Sequence, residues 1–146
     1  MKEVTVITVH DCKIMDLPRV QRKEINLTPV AGGLHLPFQI ARVYYLYNVP
    51  AGKTRGGHAH KKLQQLIIPV TGSFDLILDD SQEKRKISLN QPNRGIYIPG
   101  HIWTEVVNLS AGSVCMVLAS LPYDENEYIR DYGQFLEFKT VRQKCS

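Results

Sequence analysis

Short runs of alternating or continuous apolar residues, each about strand length, repeat along most of this chain. They read VTVITV, RVYYLYNV, QQLIIPV, SFDLILD, RKISL, GIYIP and SVCMVLA, and they are rich in Val, Ile, Leu and aromatic residues. Turn-forming pieces separate them: Pro50-Ala51-Gly52, Thr71-Gly72, Asp79-Asp80-Ser81, Asn90-Gln91-Pro92-Asn93 and Ser110-Ala111-Gly112. Turn signals spaced by roughly 8–12 residues predict a sandwich or barrel, not a series of βαβ units. The pattern changes only after Pro122. There Tyr128, Ile129, Tyr132 and Phe135 have helix-compatible spacing behind acidic residues, which predicts one short C-terminal helix packed on the barrel. No linker or composition break divides residues 1–146, so a single domain is expected.

Composition adds limits. The chain is 43% hydrophobic and 22% charged, ordinary for a globular domain. The start, MKEVTVITVHDCK, has charges on both sides of a short apolar run and lacks the apolar stretch of a secretory signal. No segment approaches the roughly 18 apolar residues of a membrane span. The cysteines Cys12, Cys115 and Cys145 form no CxxC or metal-like cluster, and they fit a reducing cytoplasm. A net charge of +4 is mild, and its basic residues are scattered without an aromatic stripe, so neither nucleic acid nor a membrane is an expected partner.

The chemistry concentrates in one stretch. Five residues after Gly52 comes His58-Ala59-His60, then Gln65 after four more, then Gly72 after six more. Histidines two apart in a strand project to the same face, where both can meet one ligand. A single histidine is more often an ordinary satisfied polar residue than a catalyst; two on one face behind an Arg-Gly-Gly turn shift that balance toward function. Arg42 and Tyr44 alternate in RVYYLYNV and so share a face, although an exposed Arg and a core Tyr would show the same pattern. Trp103, the one tryptophan, fits core packing or an aromatic wall against a base or sugar.

The run from Gly52 to Gly72 resembles the first cupin motif, with Gln65 where Glu is usual. Pro99-Gly100-His101-Ile102-Trp103-Thr104 and Asn108 resemble the second, with Thr104 where metal-binding cupins place a third histidine. The expected fold is therefore an all-β, single-domain cupin, an RmlC-like jelly-roll barrel. Two imidazoles, an amide and a hydroxyl are a poor donor set for a transition metal, so no metal and no other cofactor is expected.

Longer segments resemble the WxcM-like sugar 3,4-ketoisomerases that act on dTDP-4-keto-6-deoxyglucose. These are Arg42-Val43-Tyr44-Tyr45, Arg55-Gly56-Gly57-His58-Ala59-His60-Lys61-Lys62-Leu63, Val117-Leu118-Ala119-Ser120 with Tyr123-Asp124-Glu125, and Tyr128-Ile129-Arg130-Asp131-Tyr132. The resemblance runs from Pro37 to Phe138. It implies a metal-independent homodimer that binds a dTDP-linked keto-deoxysugar and supplies precursors of deoxyamino sugars for surface polysaccharides. It also implies a proton shuttle through an enediol. In that shuttle His58 is the base, His60 a second shuttle or orienting group, and Tyr44 a hydrogen-bond partner of the sugar oxygens. Arg42 and Arg55 would take the diphosphate, and Gln65, Tyr97 and Trp103 would complete the substrate-binding set. Two departures stand out. This chain reads Trp103-Thr104-Glu105 where the family commonly has Trp-His-Glu, with His101 the nearest substitute, and Gln21-Arg22-Lys23-Glu24-Ile25 where it tends to have Asp-x-Arg-Gly. Those departures favour a second reading, a non-catalytic cupin that binds a nucleotide sugar and assists a neighbouring enzyme. A metal-dependent cupin is a third, disfavoured by Gln65 and Thr104.

Overall fold

The computed structural model describes residues 6–144, except for the side chains of Arg55 and of residues 142–144. Two five-stranded antiparallel sheets face each other. The first runs in the order β1 (Lys13–Asp16), β9 (Arg94–Ile98), β6 (Gln65–Thr71), β11 (Val114–Ala119), β4 (Arg42–Leu46). The second runs β12 (Tyr128–Ile129), β5 (Lys53–His60), β10 (Trp103–Leu109), β7 (Phe74–Asp79), β8 (Lys84–Leu89). Inward-facing residues of both sheets form the main core, including Ile67, Phe74, Leu76, Leu78, Ile96, Ile98, Val106 and Val117. This is the jelly-roll barrel expected of a cupin.

Six of the seven expected strands are present. The exception is VTVITV: Val4 and Thr5 lie outside the described residues, and Val9–Asp11 forms a 3-10 turn. Polar groups fix that turn. Asp80 accepts the Val9 amide at 2.8 Å, Arg85 donates to the Cys12 carbonyl at 2.8 Å, and the Lys139 ammonium donates to the Ile7 carbonyl at 2.7 Å. The first strand starts only at Lys13. A further hairpin, β2 (Val20–Arg22) with β3 (Ile25–Leu27), stands apart and exposed where the sequence showed no strand signal.

The C-terminal helix exists but is displaced. Helix α1 spans Tyr132–Lys144, so it begins where the expected helix was ending. Residues 123–131 are needed elsewhere. Glu127 accepts the amides of Lys62 and Leu63, and Tyr128–Ile129 pairs with His60 and Ala59 of β5. Those backbone groups cannot serve a helix as well. Asp131 then accepts the Gln134 amide at 2.9 Å and caps α1. Phe135 and Phe138 pack the helix against Ala59, Trp103 and Ile129, on the outer face of the second sheet.

Candidate active site

Strand alternation puts the candidate histidines inside. Along β5, His58 and His60 point into the sandwich while Ala59 faces α1. Opposite β5, Thr104 of β10 is the register partner of His58. The register then slips: Val106 pairs with Arg55, so three residues of β5 are spanned against two of β10. Gly57 lies in this irregular stretch, and a Cβ there would overlap the Trp103 indole. The bulge re-aims the strand just before His58 and requires glycine to do so.

His58 stands between two cavities. The outer one, about 600 Å³, is lined by Arg42, Tyr44, Gly56, Gly57, His58, Tyr123, Tyr128 and Arg130. The inner one, about 50 Å³, reaches the barrel interior between Tyr44, His58, Gln65, Thr104 and an apolar set that includes Leu46, Ile67 and Val117. Tyr44, Gly56 and His58 belong to both.

Behind His58 lies His60, 2% exposed. Their rings meet edge to face with centroids 5.0 Å apart, and the Tyr128 ring packs on both, at 5.4 Å from His58 and 4.5 Å from His60. Burial holds the His60 imidazole down to a pKa of about 3, and the nearby His58 ring and the Arg42 and Arg130 charges add to it. His60 is therefore a neutral ring at any physiological pH. Neither of its ring nitrogens has a partner among the described residues.

Cations and aromatic rings alternate around the rim. Arg42 donates to the Tyr128 hydroxyl at 2.9 Å and lies over the rings of Tyr44 and Tyr123 at 4.9 and 5.4 Å. Arg130 lies over Tyr128 at 4.3 Å and is held by Glu125 through a forked pair of bonds of 2.6 and 3.0 Å. That pairing, with a Tyr123 hydroxyl bond to Glu125, keeps the Glu125 carboxyl at about 2, so it stays ionised. Two fixed guanidiniums at a cavity mouth suit an anionic ligand.

Of the sequence-predicted residues, the structure brings together Arg42, Tyr44, His58, His60, Gln65 and, from the second motif, Thr104. Arg55 sits on β5, but its side chain lies outside the described residues. Neither Trp103 nor Tyr97 lines the outer or the inner cavity. Position 103 points outward on β10, so its indole packs on Tyr132 and Phe135 under α1. Tyr97 faces the outer side of the first sheet, where its hydroxyl donates to Gln64 at 2.6 Å. His101 packs edge to face on Phe138 and its amide donates to the His60 carbonyl, so it does not stand in for a third site histidine. Tyr123, Tyr128 and Arg130 also line the outer cavity, in a segment where the spacing of Tyr128, Ile129, Tyr132 and Phe135 reads as a helix. The usable signal was three aromatic and cationic side chains on a segment with little apolar content to bury.

Residues 10–140 match the family model FdtA, described as WxcM-like, C-terminal. The chain belongs to this family. A curated relative from Aneurinibacillus thermoaerophilus, named TDP-4-oxo-6-deoxy-alpha-D-glucose-3,4-oxoisomerase, is 36% identical over 126 residues, covering 86% of this chain and 91% of that protein. Among solved structures, the TDP-quinovose 3,4-ketoisomerase WlaRB of Campylobacter jejuni is 41% identical with a TM-score of 0.83, covering 87% of this chain and 98% of that one. The 3,4-ketoisomerase QdtA of Thermoanaerobacterium thermosaccharolyticum, solved as a histidine-to-asparagine variant with TDP-4-keto-6-deoxyglucose, is 36% identical with a TM-score of 0.88, covering 92% and 98%.

Proposed function

We propose that this WxcM-like chain is a sugar-nucleotide 3,4-ketoisomerase that converts dTDP-4-keto-6-deoxyglucose to the 3-keto-6-deoxyhexose. The observation that carries the reading is the position of His58, at the wall shared by an arginine-rimmed outer cavity and a small enclosed inner one. The 4-ketone acidifies the C3 proton. His58 removes it, leaving an enediol, and reprotonation at C4 with loss of the O3 proton places the ketone at C3. An imidazole can both accept and return a proton, which such a shuttle needs. His60, held neutral, orients His58 and Tyr128 and is no proton store. Tyr44 and Tyr128 reach sugar oxygens. Arg42 and Arg130 take the diphosphate at the mouth, with Arg55 on the adjoining strand as a further candidate.

The reading needs no metal or cofactor. The inner cavity offers one imidazole, an amide and a hydroxyl from His58, Gln65 and Thr104, and neutral oxygen donors of this kind bind transition ions weakly. Exposed apolar residues on the β2–β3 hairpin and on β4 support a homodimer: Ile25 is 72% exposed, and Val43, Tyr45 and Tyr47 line one outer edge. The buried thiols Cys12 and Cys115 support a reducing cytoplasmic setting. No helix among the described residues is long and apolar enough to cross a membrane.

Incubating the protein with dTDP-4-keto-6-deoxyglucose in deuterated water tests the reading. We expect deuterium at the carbons flanking the ketone and a new 3-keto product by NMR. Tight nucleotide-sugar binding with no exchange and no product would instead support the non-catalytic binding reading.

A further inference from the structure

The inner cavity contains a polar group that the proposed chemistry has not used. Thr104 is 3% exposed and projects inward from β10, because Trp103 and Glu105 on either side point outward to α1 and its border. Its hydroxyl has no partner among the described residues, an arrangement that is costly unless something fills it. Gln65, 3% exposed on the facing sheet, lines the same cavity, and His58 is the register partner of Thr104 across the sheet. A buried hydroxyl, a buried amide and an imidazole thus converge on about 50 Å³. That volume exceeds the roughly 10–15 Å³ a water needs, and the site supplies the two to four polar partners that hold one.

We propose that Thr104 and Gln65 hold a water beneath His58, and that this water delivers the proton to C4. The proposal rests on the ketoisomerase reading above. His60 does not line the inner cavity, so the relay is drawn from the groups that do. His58 takes the C3 proton as the C3–H bond breaks, and O4 gains the proton that O3 gives up. The water forms the new C4–H bond with one of its protons and recovers a proton from the His58 imidazolium. C3 is oxidised and C4 reduced within one molecule, with no outside reductant. Thr104 is a positioning residue, acting through the water.

Thr104→Val keeps the shape and removes the hydroxyl, and Thr104→Ser keeps the hydroxyl. The test measures product formation and C3 exchange into recovered substrate in deuterated water, side by side, with TDP affinity and the unfolding midpoint as controls on folding. Thr104→Val is expected to lose roughly 10²-fold in product formation, within the range for a proton-transfer group, while keeping C3 exchange; Thr104→Ser is expected to recover most of the turnover. Wild-type product from a single turnover should carry deuterium at C4. Equal loss of exchange and turnover in Thr104→Val would overturn the proposal, since Thr104 would then be binding the sugar itself. So would unchanged turnover, or protium at C4 carried over from C3. Inactive wild type would sink the ketoisomerase reading and the relay together. A crystal structure at high resolution gives an independent readout: a water bonded to Thr104 Oγ1 and Gln65, absent in Thr104→Val. A dry inner cavity in wild type would refute the water site whatever the activity.

Discussion

Arg42 donates to the Tyr128 hydroxyl at 2.9 Å, and this bond ties the edge strand of one sheet to the edge strand of the other. The outer cavity opens along these two edges, so the bond spans the mouth of the site. The Arg42 Nε is buried without a partner among the described residues, which leaves the Tyr128 hydroxyl as a main anchor of that guanidinium. Tyr128→Phe is expected to lower stability by about 1.5–3 kcal/mol, the range for a hydrogen bond to a charged group, and to weaken TDP binding. Urea denaturation and calorimetry measure the two effects. An unchanged midpoint would mean that Arg42 is held by its aromatic neighbours alone.

His58→Asn retains size and some hydrogen bonding but cannot cycle a proton near neutral pH. Turnover should fall by roughly 10²–10⁴ with TDP affinity nearly intact. A variant that still exchanges the C3 proton at the wild-type rate would remove His58 from the role of base.

His60 makes the fold acid-sensitive. Its folded pKa of about 3 lies below the ordinary value of 6.5, so the unfolded chain binds the proton first as pH falls. Stability from this group is full above about pH 6.5, declines through the interval down to about pH 3, and is lost below it. The slope approaches about 1.4 kcal/mol per pH unit inside that window. His60→Gln, neutral at every pH, should flatten the stability–pH curve between pH 6 and pH 4; an unaltered curve assigns the acid sensitivity to other groups.

Gly57→Ala drives a methyl into the Trp103 indole. Overpacking of this kind costs about 1–3 kcal/mol, and because Trp103 is the one tryptophan, its fluorescence reports the displacement directly. A normal midpoint with an unshifted emission maximum would show that the indole yields without strain.

Chelator treatment followed by dialysis should leave turnover within about twofold of untreated protein, because hydroxyl and amide donors bind transition metals poorly. Activity lost on stripping and restored by one metal would reverse that expectation.

Alternation made one half of the site legible in the sequence. His58 with His60, and Arg42 with Tyr44, are each two apart in a strand, and any strand in a two-sheet barrel sends such pairs to one side. The other half depended on long-range pairing. Tyr123, Tyr128 and Arg130 fall in the segment where the spacing of Tyr128, Ile129, Tyr132 and Phe135 suits a helix. Only the docking of Tyr128–Ile129 on β5, about 70 positions earlier, makes the segment extended. The outward placement of Trp103 was illegible for a related reason. An isolated aromatic does not reveal which face of its strand is the inner one, and the helix that covers the outer face starts later than its pattern indicated.

The short strand Tyr128–Ile129 also gives the molecule an order of assembly. All eleven strands from Lys13–Asp16 to Val114–Ala119 are synthesised before residues 123–130. A nascent chain can thus close its barrel while the ligand cavity still lacks a wall, since Tyr123, Tyr128 and Arg130 have yet to emerge. Ligand binding should begin abruptly once those last residues dock, and not grow gradually as the barrel forms.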